Sequence, residues 1–581
     1  PFAFMGGLVG TLFIEFAFTL AGAVVVSGVV ALTLSPMLSA KVLKPHGQAG
    51  RFELLVERFF TGLANGYQRL LHSILDTVGI MVIFAVVVLV SIYFMFVTTP
   101  AALAPTEDQS ILFFQARAPQ TATLEYNEAY ADKIQDAFET IPEYHESFYI
   151  LGFGRDTSTV FGGFKMDSPS TRARSQMEVQ PELQQKLSQI AGFQIAVFPR
   201  PSLPGSGGGL PIGFVITSDA DYARMDAVAN DLIAAGMQSG KFIFLQKSVE
   251  FSRPKTTILV DRDLAADLGI TMEDIGKHLA TMLGGAFVNR FSLDGRSYKV
   301  IPQVSRDFRA DMDALNYYSV PTDTGEQLPL STLVSFESTV EPSQRTQFQQ
   351  LNSNMIQGVM APGVQLGDAL AFMENHARDK FPKGFSWDYS GQSRQYNQQG
   401  SALIVTFFMS VLVIYLVLAA QFESWRDPFI VLVSVPMSIA GALIFMTLGF
   451  ASVNIYTQVG LITLIGLIAK NGILIVEFAN QLQRHEGLDK REAVEKASAI
   501  RLRPILMTTV SMVVAMVPLL LASGPGAASR FAIGLVIATG LGIGTIFTLF
   551  VVPAMYVLLA RDRNKQSAHT GVGVKLPNHQ N

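Results

Sequence analysis

The chain of 581 residues is too apolar for an ordinary soluble protein, since hydrophobic residues make up 49% of it and charged residues only 15%, with a mean hydropathy of +0.33. A formal net charge of −4 gives no general attraction for nucleic acid, so no nucleic-acid partner is expected. The absence of cysteine excludes disulfides, thiolate nucleophiles and cysteine-based metal sites.

Both ends of the sequence have a distinctive composition. Pro1 begins it inside an apolar stretch with no basic region before it, which predicts a truncated start rather than a signal peptide. At the far end, residues 561–581 are polar and lack an apolar period, which predicts a disordered tail.

Seven segments are apolar enough to cross a bilayer, which requires about 20 residues. They are residues 16–38, 77–96, 402–422, 428–450, 459–478, 505–521 and 531–559. The connections 39–76 and 481–503 are rich in lysine and arginine, which predicts that both are cytoplasmic. By alternation, the long region 97–400 is predicted to lie outside the cytoplasm.

This long region has a pattern of strands and helices typical of α+β domains. Strands are predicted at 111–116, 147–152 and 193–198, with helices at 124–141 and 172–190 between them, which favours a split βαβ sandwich. The same order recurs from residue 212 onward and is interrupted by a long insertion. Between the two units, residues 200–211 read RPSLPGSGGGLP, which fits a flexible joint and a plain surface loop equally.

Lys470 is the strongest single signal, because it lies within the apolar segment VGLITLIGLIAKNGILIVEFA. An ammonium group at that depth is costly unless it is paired or hydrated. Glu477 is two turns away on the same helix, about 10 Å along its axis, and Glu15 and Glu423 lie at or beyond span ends. The predicted carboxylate partner therefore comes from missing sequence. The lysine either stabilises helix packing or forms an ion pair that converts protonation into helix movement.

Two further polar residues share a face of the next span. Thr508 and Arg501 are seven residues apart, so they could extend a polar path from Lys470 towards the cytoplasm. Alternatively, Thr508 bonds its own backbone and Arg501 is a positive-inside anchor.

Residues 148–164 read FYILGFGRDTSTVFGGF, a mixture of phenylalanine and glycine. A core strand would not need so many glycines, whereas exposed aromatic side chains on flexible backbone suit a pocket for varied apolar ligands. Phe148 alone could instead be strand core. No Ser/His/Asp ordering, GxxxxGK[ST] or HExxH motif occurs, so enzymatic chemistry is not expected.

Several segments resemble the resistance-nodulation-division multidrug efflux transporters of the hydrophobe/amphiphile (AcrB-like) branch: PFAFMGG, LAPTEDQS, QFESWRDPFIVLVSVPMSIAGAL, VGLITLIGLIAKNGILIVEFA and RLRPILMTT. The resemblance extends to about Leu559. It implies the C-terminal half of a proton/drug antiporter of the bacterial inner membrane, working as a homotrimer with a periplasmic adaptor and an outer-membrane channel. The energy source is the proton gradient, and no cofactor or metal is implied.

The resemblance also assigns roles to residues. Lys470 would pair with two aspartates of the missing N-terminal half, and Thr508 and Arg501 would belong to the same proton relay. The residues implied to bind small amphiphilic substrates are Phe148, Phe153, Phe161, Phe164, Phe198, Gln115 and Arg117, with the loop between Gly154 and Phe164 separating two pockets.

The implied fold class is a polytopic α-helical membrane domain in the lipid bilayer plus a large periplasmic α+β insertion with ferredoxin-like (split βαβ) subdomains. The predicted boundaries are a truncated span and turn at 1–10, transmembrane helices at 11–38 and 77–97 around a cytoplasmic amphipathic helix at 39–76, porter subdomains at 98–208 and at 209–259 with 337–395, a docking subdomain at 260–336, five transmembrane helices in 396–560, and the tail at 561–581.

Two other functions stay open. A metal-ion efflux pump of the same family would need methionine ligands, for which Met166 and Met177 are the nearest candidates. A membrane-anchored periplasmic scaffold or secretion accessory would transport nothing, and a passive anchor of that kind gains nothing from Lys470.

Overall fold

The structure is a computed structural model that describes residues 6–42, 51–153, 157–204, 209–310, 316–322, 324–342 and 344–562. The first residues of the predicted truncated start, residues 154–156 of the glycine-containing loop, residues 205–208 of the predicted joint and the tail from 563 lie outside this part. The chain forms two compact units, one of Pro1–Ser248 with Thr346–Asn581 and one of Val249–Arg345.

Three helices precede the first sheet: α1 (Gly7–Val42), α2 (Arg51–Asp76) and α3 (Val78–Thr98). The sequences of α1 and α3 are apolar throughout, whereas α2 is amphipathic. Tyr67, Leu71 and Leu75 of α2 are buried, one or two turns apart on one face. The Tyr67 hydroxyl donates a hydrogen bond of 2.6 Å to the carbonyl oxygen of Leu549, so α2 packs against the helices at the end of the chain.

The first α+β subdomain is continuous in sequence. Its elements are β1 (Ile111–Arg117), α4 (Leu124–Glu139), β2 (Tyr144–Leu151), β3 (Thr159–Met166), α5 (Gln176–Ser188) and β4 (Gln194–Pro199). The strands form one sheet in the order β2-β3-β1-β4, and all neighbours are antiparallel. Its helix-facing core contains Phe114, Phe138 and Phe164, which are completely buried.

The second subdomain begins with β5 (Ile212–Ser218), α6 (Tyr222–Gln238) and β6 (Phe242–Lys247). The chain then enters the second compact unit. Its elements are β7 (Phe251–Val260), α7 (Arg262–Asp267), α8 (Met272–Met282), β8 (Asn289–Leu293), β9 (Arg296–Val300), α9 (Asp307–Ala310), β10 (Ser319–Pro321), β11 (Gln327–Pro329) and β12 (Val334–Pro342). β7 and β12 pair along their length, which makes this unit wider than the predicted 260–336.

The second sheet is completed after this insertion by β13 (Thr346–Phe348), β14 (Leu351–Met360), α10 (Leu366–Lys380) and β15 (Phe385–Tyr389). β14 pairs with β5 and β6, and β5 pairs with β15, all antiparallel. Without the β13–β14 hairpin and the insertion, both subdomains follow the element order βαββαβ with the same order of strands in the sheet.

The chain ends in helices α11 (Gly391–Phe422), α12 (Asp427–Leu432), α13 (Ser434–Thr447), α14 (Ile455–His485), α15 (Lys490–Ala515), α16 (Val517–Leu520) and α17 (Ala527–Leu559). The helices are interrupted briefly between α12 and α13 and between α15 and α16, just before Pro436 and Pro518. Proline cannot donate the helical hydrogen bond, which explains both breaks. Counting each broken pair once and including α1 and α3, seven segments of the described chain are long and apolar enough to cross a membrane, as predicted.

Glycines let α17 approach its neighbours closely. A β-carbon at Gly540 would collide with the Leu464 side chain, and one at Gly544 would overlap the Ser438 side chain. The GLGIG segment therefore serves close helix packing, which is the expected use of small residues where membrane helices meet.

We predict that Gly544→Ala lowers the melting temperature of the detergent-purified protein. The added methyl group overlaps Ser438, and overpacking of this kind costs about 1–3 kcal/mol. The matched control is Gly542→Ala, because a β-carbon at Gly542 meets nothing within 4 Å. Equal melting temperatures for the two variants would contradict this account of the α13–α17 contact.

Candidate functional site

Lys470 lies at the midpoint of α14, since Ile455 and His485 are each fifteen residues away. At 1.5 Å per residue, its backbone is about 22 Å from either end of the helix. The side chain is exposed, and in the part of the chain that the structure describes no carboxylate lies within the 4.0 Å that defines a salt bridge to it. The Lys470 ammonium therefore lies on a face of α14 that no other described helix covers.

The uncovered face continues along α14. Gly466, one turn before Lys470, is also exposed, and a β-carbon there would meet nothing within 4 Å. The opposite face is fully packed, with Ile468 and Asn471 at 0% exposure. The described residues offer the Lys470 ammonium no carboxylate on this face, so the prediction that its partner lies in sequence outside this chain stays a prediction.

Three polar side chains form a buried network directly behind Lys470. The Asn471 amide nitrogen Nδ2 donates to Thr545 Oγ1 at 3.0 Å and lies 3.5 Å from Thr509 Oγ1. The two threonine hydroxyls are 3.2 Å apart. This network joins α14, α15 and α17 at the depth of the lysine, and sequence reasoning missed it. The sequence could have indicated it, because Asn471, Thr509 and Thr545 are polar residues inside apolar segments.

The two other predicted relay residues do not contact Lys470. Thr508 Oγ1 donates to the Ile505 carbonyl of its own helix at 3.1 Å, which is the alternative considered from the sequence. The Arg501 guanidinium lies 4.3 Å from the centre of the Phe478 ring. Within the described residues, the buried Arg501 Nε has no hydrogen-bond partner.

Aromatic side chains cover the face of the first sheet that is opposite its helices. The ring centroids of Phe113 lie 6.5 Å from Phe148 and 5.3 Å from Phe161, and Phe153 stacks on Phe161 at 4.9 Å. Phe148 and Phe153 are 45% and 39% exposed. We call Phe113, Phe148, Phe153 and Phe161 the aromatic cluster. Phe113 belongs to it although the sequence did not single it out.

Two glycines of β3 make this arrangement possible. A β-carbon at Gly163 would lie 2.5 Å from the Phe148 ring, and one at Gly162 would lie 2.5 Å from the Phe114 ring on the other face of the sheet. The expectation that the glycines indicate flexible backbone rather than a strand was wrong, because they lie inside regular β3 and receive rings on both faces.

Two of the predicted pocket residues are not accessible. Phe164 is completely buried and packs against Phe138 at 5.1 Å, because it points to the helix side of β3, opposite to Phe161. Phe198 is 1% exposed and packs with Leu210 and Val359, so the second subdomain covers it. Both predictions of ligand contact are corrected for this conformation.

Gln115 and Arg117 alternate with buried residues along β1 and therefore share the face of Phe113. Gln115 lies opposite Phe161 in the register with β3. Arg117 Nη1 donates to the Lys247 carbonyl oxygen at 3.2 Å, so this arginine links the two subdomains.

A cleft of about 470 Å³ opens between α5 and the segment that joins β14 to α10. Met177, Gln180, Gln184 and Arg200 line one side, and Val359 and Pro362 line the other. Met177 therefore faces the cleft, whereas Met166 is 2% exposed in the first core. The two methionines do not form a shared metal site. In the described residues, no group of three or more histidine, cysteine or acidic side chains is arranged to hold a metal ion.

Comparison with known proteins identifies the family. The sequence profile of the AcrB/AcrD/AcrF family matches residues 1–560. The chain belongs to this family. It is 40% identical over 97% of its length to an uncharacterized transporter of Haemophilus influenzae, covering 55% of that protein. It is 31% identical over 96% of its length to the toluene efflux pump membrane transporter TtgB of Pseudomonas putida, covering 55%. The multidrug export protein AcrF of Escherichia coli is 29% identical over 97% of the chain.

The chain spans about half the length of the curated relatives that it matches. The seven candidate spans and the two α+β subdomains are therefore features of a portion of the family's length. The uncovered face at Lys470 is likewise a feature of this portion.

We predict that alanine substitutions of two phenylalanines on neighbouring strands lower the stability by very different amounts. Phe164→Ala removes a completely buried ring, which costs about 3–5 kcal/mol, whereas Phe148→Ala removes a half-exposed ring and costs much less. Thermal unfolding of the purified protein tests this. A larger loss for Phe148→Ala would contradict the assignment of Phe164 to the core.

Proposed function

We propose that the chain is the C-terminal half of a proton-driven efflux transporter of the bacterial inner membrane. The observation that carries the proposal is Lys470, exposed at the midpoint of a membrane-spanning helix and without a carboxylate partner among the described residues. A charge in that position is stable only when protein or water compensates it. Because the relatives are about twice as long, the compensating acidic pair is proposed to lie in the remaining sequence.

The mechanism follows from the electrostatics of such a cluster. When the acidic pair is ionised, it attracts the Lys470 ammonium, and protonation of a carboxylate weakens that attraction. The preferred position of α14 therefore depends on protonation, and a proton gradient shifts the population of two conformations. The energy source is the proton gradient alone, with no cofactor and no covalent chemistry.

The proposed substrates are small hydrophobic or amphiphilic compounds, bound first in the cleft and then at the aromatic cluster. Aromatic rings offer a large contact area with little directional demand. The names of two relatives, a toluene efflux pump and a multidrug export protein, agree with substrates of this kind.

The assembly and the fold class belong to the same proposal. The transporter is proposed to act as a homotrimer with a periplasmic adaptor and an outer-membrane channel, and residues 98–395 to be periplasmic. Both βαββαβ units are proposed to be ferredoxin-like subdomains. Their element order and the matching strand orders of the two sheets support this assignment.

Lys470→Met in the complete transporter should abolish proton-dependent export while leaving the protein folded and inserted. Methionine retains the length of the side chain but cannot respond to protonation. Export of a fluorescent amphiphile from cells, with and without an uncoupler, measures the effect. The control is Lys383→Met, which removes an exposed lysine between α10 and β15.

Unchanged export by the Lys470→Met variant would refute the coupling role. If even the unaltered transporter exports nothing in response to a proton gradient, a non-transporting periplasmic scaffold becomes the better explanation.

Removing two exposed rings should weaken substrate binding. We predict that Phe148→Ala with Phe153→Ala raises KM for apolar substrates by about tenfold or more, since each buried aromatic contact contributes on the order of 1 kcal/mol. Tyr149→Ala is the control, because Tyr149 belongs to the same strand but points to its other face. An equal KM for both variants would remove the aromatic cluster from the substrate path.

A further inference from the structure

The short segment 100–108, between α3 and β1, contacts the first turns of four helices. Two contacts use its backbone. The Leu103 carbonyl oxygen accepts a hydrogen bond from Ile455 N, the first residue of α14, at 3.2 Å, and the Ala101 carbonyl oxygen accepts one from Gly367 N, at the start of α10, at 3.0 Å. The segment also pairs with Val453 through Pro100 and Ala102, at 2.9 Å in each case.

The third contact uses a buried carboxylate. Glu107 is 4% exposed and accepts hydrogen bonds from Ala528 N at 3.1 Å and Ser529 N at 2.7 Å, and also from the Ser529 hydroxyl. These groups belong to the first turn of α17, whose own cap, Gly526, offers no side chain. Glu107 therefore caps a membrane helix that lies more than four hundred residues later in the chain.

The fourth contact uses the next residue. Asp108 accepts a hydrogen bond from Gln176 N, at the start of α5, at 3.0 Å, and it also binds the guanidinium of Arg172. Burial alone would raise the pKa of Asp108, but the hydrogen bonds from Gln176 and Arg172 outweigh burial and lower it. In return, the Gln176 side-chain oxygen accepts from Gln109 N and Ile111 N at 3.0 and 3.2 Å.

These four helices fall into two groups. α14 and α17 belong to the membrane bundle, whereas α5 and α10 belong to the first and second α+β subdomains. Helix N-termini carry unpaired N–H groups and a partial positive charge, so an acceptor held there fixes the helix end to the acceptor's own backbone. One short segment thus fixes the ends of two membrane helices and of one helix in each subdomain.

The two membrane helices are also joined to each other, together with α15, at the depth of Lys470. α14 carries Lys470 and Asn471, and α17 carries Thr545, which bonds Asn471. A displacement of α14 and α17 at that depth reaches segment 100–108 through two continuous helices, which are stiff elements.

We propose that segment 100–108 is the mechanical coupler between the membrane helices α14 and α17 and the two soluble subdomains, with Glu107 and Asp108 as its positioning residues. This inference rests on the proposed export function. It requires that the contact between Glu107 and α17 stays closed while the helices move, so that the movement is transmitted rather than lost.

Glu107→Gln in the complete transporter, reconstituted in liposomes, tests the coupler. Ala528 N and Ser529 N donate to different oxygens of Glu107, so the amide of glutamine places its NH2 donor against one of them and removes the charge. The maximal export rate is therefore expected to fall on the order of tenfold at unchanged KM. The matched control is Glu178→Gln, because Glu178 accepts from Ser175 N at 2.6 Å at a helix start but stays within the first subdomain. The control should export normally.

A cross-link gives an independent measurement. The sequence contains no cysteine, so Glu107→Cys with Ser529→Cys introduces a unique pair within it. We expect the double variant to export slowly and a short bis-methanethiosulfonate cross-linker to restore export, which a reducing agent then reverses. Gel filtration before and after linking verifies that the protein is folded.

Each outcome decides the proposal. Normal export by Glu107→Gln, a change in KM instead of the maximal rate, or loss of export on cross-linking would overturn the coupler. Failure of the unaltered transporter to export under a proton gradient would instead overturn the proposed function, so the two failures are distinguishable.

Discussion

Unpaired N–H groups at buried helix ends are the constraint on which the rest of this structure depends. Such a group is costly away from water unless an acceptor is provided. The starts of α14 and α17 meet this requirement in two ways. α14 has a local cap in Asn454, whose side chain accepts from Tyr456 N and Thr457 N, whereas α17 depends on Glu107 from a distant part of the chain. The second solution ties the membrane bundle to the region in front of the first sheet.

The membrane-spanning helices differ strongly in how much of their surface is buried. α13, α14 and α17 bury most of their residues against one another, whereas α1 and α3 leave most of theirs uncovered. Lipid accounts for an uncovered apolar surface, but it does not accommodate the Lys470 ammonium. Behind that lysine, the hydroxyls of Thr509 and Thr545 accept hydrogen bonds from the Asn471 amide nitrogen, whereas the buried Asn471 Oδ1 has no hydrogen-bond partner among the described residues.

The membrane-spanning helices could be predicted from the sequence, because long apolar segments are a signal that local composition carries. The seven spans were found in this way. β3 was missed because Gly162 and Gly163 have low strand propensity, and their reason lies in rings of other strands, Phe114 and Phe148. Phe164 was misassigned because its facing depends on the register of β3, which could not be set without recognising the strand. Glu107 was overlooked because its partners are remote in sequence.

The two α+β subdomains differ in one respect that affects how they form. The first, from β1 to β4, is complete when a single stretch of chain has been made. In the second, β5 at Ile212–Ser218 has to wait for β14 at Leu351–Met360 and β15 at Phe385–Tyr389 before either of its edges is paired. Long loop closure slows folding, so during synthesis β5 remains an unprotected, strongly apolar strand while the inserted unit emerges. Unpaired strand edges and exposed apolar surface make a partly folded chain prone to aggregation, so the long insertion lengthens the interval in which β5 carries that risk.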